Sequence, residues 1–343
     1  MTVSVGVIGV GAIAQEAHLP SYARLRDVKV VGVADIDEKK ARFVAKKYHC
    51  KSYGDFTKLI DKNDLDAVSI CTPPFARFEI IKYAAENGVN ILCEKPLAES
   101  FSKALEIYKI VEKSGIQFMI GFNLRFNDLY RKAFKIISDG KLGEVIFLRG
   151  VYGTKFPHYQ WILDEEKAGG GVLIDKGSHV IDVATWFLGM PEEVQAITFN
   201  KREMKIDENA FVVLRHDVAF SQLALSFGLN KPMERLEVFG TACNLIIDHE
   251  LLSLFFLPAS ENLIIQSFPK VYINALKYYL AMKGITNQSD SYLEEIRYFV
   301  ECIRRGKDVS PNHVDALINM AVIHACYKSA VMGGSPIPIM LQK

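Results

Sequence analysis

Val3-Ser4-Val5-Gly6-Val7-Ile8-Gly9-Val10-Gly11-Ala12-Ile13-Ala14 stands at the start of the chain and decides the fold of its first third. An apolar run that enters a glycine turn and leaves as a helix is the opening of a βαβ unit. The turn has the spacing G-x-G-x-x-A used to cradle a dinucleotide. Gly9 permits the tight turn, and Gly11 lets a pyrophosphate approach the backbone. There the amides of Ala12 and Ile13 and the helix dipole favour negative charge. Ala14 keeps helix and strand close. A glycine turn without a ligand would show the same letters, but the strand before and helix after favour the dinucleotide.

Asp35 ends the next apolar run, Val28–Ala34, 21 residues beyond Ala14. That is close to the ~20 expected of a carboxylate that binds the adenosine ribose. A carboxylate there pairs with two hydroxyls and repels a 2′-phosphate, so NAD is expected and NADP is less favoured. Lys39, Lys40 and Arg42 lie near enough to receive a phosphate. As a helix N-cap for Glu38 onward, Asp37 is better placed than Asp35.

Working outward, Ala67–Cys71, Val89–Cys93 and Phe118–Ile120 are further short apolar runs, as in strands buried on both faces. Between the runs lie expected helices at Ile13–Leu25, Glu38–Tyr48, Phe56–Asp61, Ala76–Asn87 and Ser100–Lys113. The alternation predicts a doubly wound parallel sheet over residues 1–122. Residues 123–343 read differently. A helix at Asp128–Asp139 and a strand at Val145–Tyr152 precede a helix through Asp175–Leu188. Strands follow at Val194–Phe199, Ala210–His216, Ala219–Phe227, Glu234–Phe239, Asn244–Asp248 and Leu251–Phe256, with no helix between them. This second α+β domain should hold a mostly antiparallel open sheet. Helices near Tyr292–Arg305 and His313–Val331 close the chain. Pro258–Ser289 has no clear pattern.

Forty-one basic residues balance 40 acidic ones, so no basic track for nucleic acid or acidic lipid is expected. No stretch of ~20 apolar residues predicts a membrane span. The apolar start reads as a first strand and not as a signal peptide. The six cysteines lack metal or redox spacing, so no metal is expected and a reduced, cytoplasmic protein is the simplest reading.

Two loops follow later strands: Thr72-Pro73-Pro74 and Glu94-Lys95-Pro96. Ligands of such sheets bind at the carboxyl ends of strands, and the two prolines stiffen the first loop where a nicotinamide ribose would lie. A lone lysine such as Lys95 is usually a solvated surface residue. In Gly169-Gly170-Gly171-Val172-Leu173-Ile174-Asp175-Lys176-Gly177-Ser178-His179, Asp175 and His179 share one helical face, with Asp182 a turn further. A carboxylate beside an imidazole raises its basicity and suits a general base; a surface ion pair has the same spacing.

Together these segments resemble the Gfo/Idh/MocA family of glucose–fructose oxidoreductase, inositol 2-dehydrogenase and related sugar dehydrogenases. The matching pieces are Gly9–Ala14, Thr72–Pro74, Glu94–Ala98, Gly121-Phe122-Asn123-x-Arg125-Phe126 and Gly169–Asp182. The resemblance implies an NAD(P)-dependent enzyme that moves a hydride to or from a hydroxyl or keto carbon of a sugar or inositol. It implies that Lys95, beside a cis bond to Pro96, lowers the pKa of the reacting hydroxyl, that Asp175 orients substrate and that His179 is the base. Thr72, Pro73, Glu94 and Lys95 would join Gly9, Gly11, Ala12, Ile13 and Asp35 around the cofactor. Asn123, Arg125 and Trp161 would line the substrate side, although Trp161 fits the core equally well.

Lys176 is a departure: in the cleft it would suit an anionic substrate, and toward solvent it would do nothing. Arg77 stands where relatives often carry histidine, and His158 and Tyr159 are further candidates that nothing fixes. The resemblance also implies pairing through the open sheet face into a homodimer or homotetramer. Two other functions remain open: an enzyme that retains NAD and oxidises transiently, and a non-catalytic NAD-binding sensor.

Overall fold

The computed structural model describes residues 2–157, 160–248, 253–258 and 290–341. His158, Tyr159, Leu251 and residues 259–289 lie outside them. Two compact units are present. The first comprises residues 1–123, 166–169 and 291–320; the second comprises 124–165, 170–290 and 321–343.

The first unit holds a six-stranded sheet: β1 Val3–Ile8, β2 Val28–Ala34, β3 Lys51–Tyr53, β4 Ala67–Ile70, β5 Asn90–Glu94 and β6 Phe118–Gly121. Its order is β3-β2-β1-β4-β5-β6 and every pairing is parallel. Val5, Val7, Val68, Ile70, Ile91 and Leu92 are buried completely, as a sheet covered on both faces requires. The order reverses between β1 and β4, which opens a crevice beyond their carboxyl ends.

β3 was not anticipated, because this short edge strand is polar and half exposed and so lacks the apolar run of its neighbours. The far edge, β6, is covered by a returning segment: the Ile120 amide donates to the Pro311 carbonyl at 3.2 Å, and Met119 bridges Asn312.

The expected first helix has two parts. Ala14–His18 forms a wider π-helical turn, and α1, Leu19–Ala23, follows it. Pro20, which lacks an amide hydrogen, sits in the first turn of α1, so the ladder cannot run through unbroken. Four helices match their expected positions closely: α2 Glu38–Lys47, α3 Phe56–Asp61, α4 Arg77–Glu86 and α5 Phe101–Ser114. The Asp37 side chain caps α2 through the amides of Lys39 and Lys40, 3.1 Å each.

In the second unit, β7 Val145–Gly153, β8 Glu193–Phe199, β9 Asn209–Arg215, β10 Phe220–Ser226, β11 Met233–Gly240, β12 Cys243–Asp248, β13 Ser253–Pro258 and β14 Ile337–Pro338 form one sheet. Its order is β13-β12-β11-β7-β10-β9-β8-β14, antiparallel except where β7 meets β10. The outward side chains Ile197, Phe199, Phe211, Val213 and Phe220 are all exposed.

The helix expected through Asp175–Leu188 begins earlier and is interrupted. α6 is Asp128–Ser138 and α7 Glu165–Ala168; α8, Val172–Asp175, then ends before Lys176, and α9 runs Gly177–Leu188. Asp207 causes the early start. Its carboxylate accepts from the amides of Gly171 at 2.6 Å and Leu173 at 2.7 Å, serving as a cap from 36 residues away. At the interruption the His179 amide donates to the Lys176 carbonyl at 3.2 Å, a tighter turn. α9 packs on β7, where a Cβ on Gly150 would lie 3.1 Å from Val180. The closing helices are α10 Ser291–Arg305 and α11 His313–Val331.

Candidate functional site

At the switch point of the first unit, Gly9 has φ +84°. A Cβ there would stand 2.8 Å from Thr72 Cγ2 and 2.9 Å from the Thr72 amide, so only glycine fits. Gly11 is different: a Cβ on it would meet no protein atom within 4 Å. Protein packing does not require that glycine, and the open space beside it would suit the close approach of a ligand. The Gln15 side chain donates to the Val10 carbonyl at 2.8 Å and secures the loop. The Thr72 hydroxyl is buried, with no hydrogen-bond partner among the described residues. A buried hydroxyl without a partner beside an open glycine loop fits a dinucleotide.

Asp35 accepts from the Val10 amide at 2.8 Å and the Asp37 amide at 2.9 Å. A carboxylate has roughly four acceptor directions, so two stay open for ribose hydroxyls. Arg42 is paired with Glu38 at 2.9 Å.

Beneath the second loop lies a buried polar chain that sequence reading missed. Glu94 Oε1 is 2.9 Å from His18 Nε2, His18 Nδ1 is 3.2 Å from Ser69 Oγ, and the Tyr22 hydroxyl is 2.7 Å from the same Ser69. Burial alone would lower the His18 pKa, but Cys71 and Glu94 outweigh it and hold the imidazole well above its ordinary value. Burial likewise pushes the Glu94 carboxyl up. The hydrogen bond and charge of His18, then Lys95 and Arg77, outweigh that and hold it below the ordinary range. The pair is therefore ionised.

Glu295 of α10 adds a second buried carboxyl. Neither oxygen has a partner among the described residues, and burial, then Glu94, push its pKa well up. Both causes favour its neutral form. The only sequence clue was an acidic residue on the buried stripe of an amphipathic helix.

The Lys95–Pro96 bond is cis, as the resemblance implied. Asn123 donates to the Ser291 hydroxyl at 3.1 Å, and its buried carbonyl oxygen has no partner among the described residues. In the second unit, Asp175 and Lys176 form an ion pair at 3.2 Å, both largely buried. The Lys176 amine thus lies against the carboxylate next to it. His179 lies parallel to the Tyr152 ring, 6.1 Å between centroids. Asp182 takes a bidentate pair from Arg125, 3.0 and 2.7 Å, with the guanidinium 5.8 Å from the Trp186 ring. Trp161 is half-buried in a short turn, Gln160–Leu163.

Among the described residues no cluster of His, Cys, Asp or Glu could hold a metal, and no helix is long and apolar enough to cross a membrane.

Residues 3–122 match a family model described as an oxidoreductase family with NAD-binding Rossmann fold, which gives the class. Residues 130–246 match the model of the GFO/IDH/MocA C-terminal domain. The chain belongs to the Gfo/Idh/MocA family. Similar proteins include a D-xylose 1-dehydrogenase (NADP(+)) of Haloferax volcanii, 25% identical over 96% of this chain and 98% of its own length. A scyllo-inositol 2-dehydrogenase (NAD(+)) of Bacillus subtilis is 26% identical over 98% and 96%. Levoglucosan dehydrogenase, solved with NADH and L-sorbose, superposes with a TM-score of 0.88 at 24% identity, covering 99% of this chain and all of that one, and supports the fold.

Proposed function

We propose that this chain is an NAD-linked dehydrogenase or reductase of a polyhydroxylated small molecule: a sugar, an inositol or a sugar derivative. The observation that carries the reading is the cradle at the switch point, where Gly11 is open, the Thr72 hydroxyl lacks a partner and Asp35 keeps acceptor capacity. The dehydrogenase names of full-length relatives support the substrate class. Asp35 favours NAD over NADP.

Residues 1–122 bind the dinucleotide, and 123–343 bind substrate and self-associate. The nicotinamide, when bound, supplies a carbon that takes or gives hydride. Lys95 donates a hydrogen bond to the reacting hydroxyl and lowers its pKa. His179 takes the hydroxyl proton in oxidation and returns it in reduction, and Asp175 orients substrate and supports the imidazole. Lys176 tempers the charge of Asp175. Asn123, Arg125 and Trp161 line the substrate side, with Arg125 acting as half of its pair with Asp182. The apolar outer face carrying Ile197, Phe199, Phe211, Val213 and Phe220 joins a second copy in a homodimer or homotetramer. Free cysteines, four of them buried, suit a reducing cytoplasm.

A screen of sugars, inositols, uronates and sugar nucleotides, read by absorbance of reduced NAD, tests the reading. Lys95→Met and His179→Ala should each lose about 10²-fold or more in turnover on the substrate found, the scale of positioned acid–base groups. Full turnover in both variants refutes the assignment.

A further inference from the structure

Arg77, the departure noted in the sequence, is 3% exposed at the start of α4. Its Nε donates to the Thr72 carbonyl at 2.9 Å, and Nη2 donates to Thr72 at 2.7 Å and to the Lys95 carbonyl at 3.4 Å. Nη1 donates to the carbonyls of Glu94 and Pro96. A guanidinium has five N–H donors, and here each meets a main-chain carbonyl. Among the described residues none of these hydrogen bonds goes to a carboxylate. The acceptors come from both loops at the carboxyl ends of β4 and β5. Three consecutive residues, Glu94, Lys95 and Pro96, are held from one side by a single planar group. Neither the three donors of an ammonium nor the two of an imidazole would cover this set.

We propose that Arg77 is a positioning residue of the oxidoreductase site, tying the loop that begins at Thr72 to the loop that carries Lys95 and so fixing where the lysine amine works. The proposal rests on the dehydrogenase reading above, and its own content is that Arg77 acts through Lys95.

A double-mutant cycle on the full-length protein tests it, with Arg77→Gln, Lys95→Met and the pair, assayed with the substrate found by the screen. Arg77→Gln should lower kcat about 10²-fold, the cost of a misplaced catalytic group, with KM changed by less than about threefold. The double variant should be no slower than Lys95→Met alone. Arg77→Lys should recover part of the loss, and guanidinium ion at millimolar concentration should partly rescue Arg77→Gln. Hydrogen exchange, which needs no turnover, should quicken in both segments, 72–77 and 94–97, in Arg77→Gln. If the two losses multiply, or if kcat stays at the parent value while only the melting temperature falls, the proposal is overturned. If Arg77→Gln does not fold, the cycle is run with Arg77→Lys and read in the same way. Parent turnover in Lys95→Met would instead sink the catalytic reading itself, and exchange in the two loops would still report the clamp.

Discussion

The Tyr327 hydroxyl donates to the Asp207 carboxylate at 2.7 Å, and both close on the glycine turn that precedes Asp175 and His179. A Cβ on Gly170 would lie 2.0 Å from the Tyr327 oxygen, and one on Gly171 would lie 1.9 Å from the Asp207 carbonyl oxygen. The turn is thus moulded against two residues distant in sequence. Burial pushes the Asp207 carboxyl up, against the hydrogen bonds from Leu173, Tyr327 and Gly171. Tyr327→Phe should cost about 1–3 kcal/mol, the scale for stripping a buried acceptor of its partner. Denaturant unfolding measures it, and proteolysis within 169–176 should quicken.

The ionised His18–Glu94 pair makes a second expectation. His18→Ala leaves a buried carboxylate without its partner and should destabilise the protein by about 3–5 kcal/mol. The signs with pH follow from the shifts. The raised His18 pKa gives stability that is full below about pH 6.5 and is lost as pH rises through the folded value. The lowered Glu94 pKa gives stability that is present above the ordinary carboxylate range and is lost as pH falls through its depressed value. In the variant the alkaline fall of the urea midpoint should disappear, and the acid limb should flatten or reverse because burial of Glu94 is no longer opposed by His18.

Glu295 should behave oppositely to Glu94. Its folded pKa is raised, so the folded protein keeps a proton that the unfolded chain releases from about pH 4.3 upward. Stability from this group is greatest in acid and drains away as pH climbs toward the folded value. Glu295→Gln should gain on the parent as pH rises above the ordinary carboxylate range, until the folded value is passed. A constant difference between the two unfolding curves would contradict the assignment of a neutral acid.

For Asp35, the expected outcome concerns the cofactor. Asp35→Ser removes the carboxylate that repels a 2′-phosphate and should weaken NAD binding about tenfold while improving that of NADP. Titration calorimetry with both dinucleotides decides it; unchanged preference would show that Lys39, Lys40 or Arg42 sets selectivity.

Much of the first unit was legible because its determinants are local. Gly9, Gly11 and Ala14 announce the turn within six residues, and short, mostly apolar runs give β1, β2, β4, β5 and β6. β3 was hidden because an edge strand of lysine, serine and tyrosine has no pattern to show. What escaped is non-local. Asp207 caps α8 from 36 residues away, Arg77 reaches carbonyls 17 to 19 residues on, and Glu94 finds His18 at a separation of 76. No periodicity encodes such bonds. The interruption at Lys176 likewise depends on where the glycine turn is anchored, so Asp175 and His179 fall on two helical segments although their spacing suggested one.

The segment that seals the β6 edge has a consequence for synthesis. Because Pro311 and Asn312 occupy that edge and α10 belongs to the same unit, residues 3–122 leave that unit unfinished until residues 291–320 have been made. A nascent chain stopped before Ser291 would present an open row of amides and carbonyls beside an uncovered apolar seam. A minimal nucleotide-binding module should therefore keep residues 291–320 together with residues 1–123.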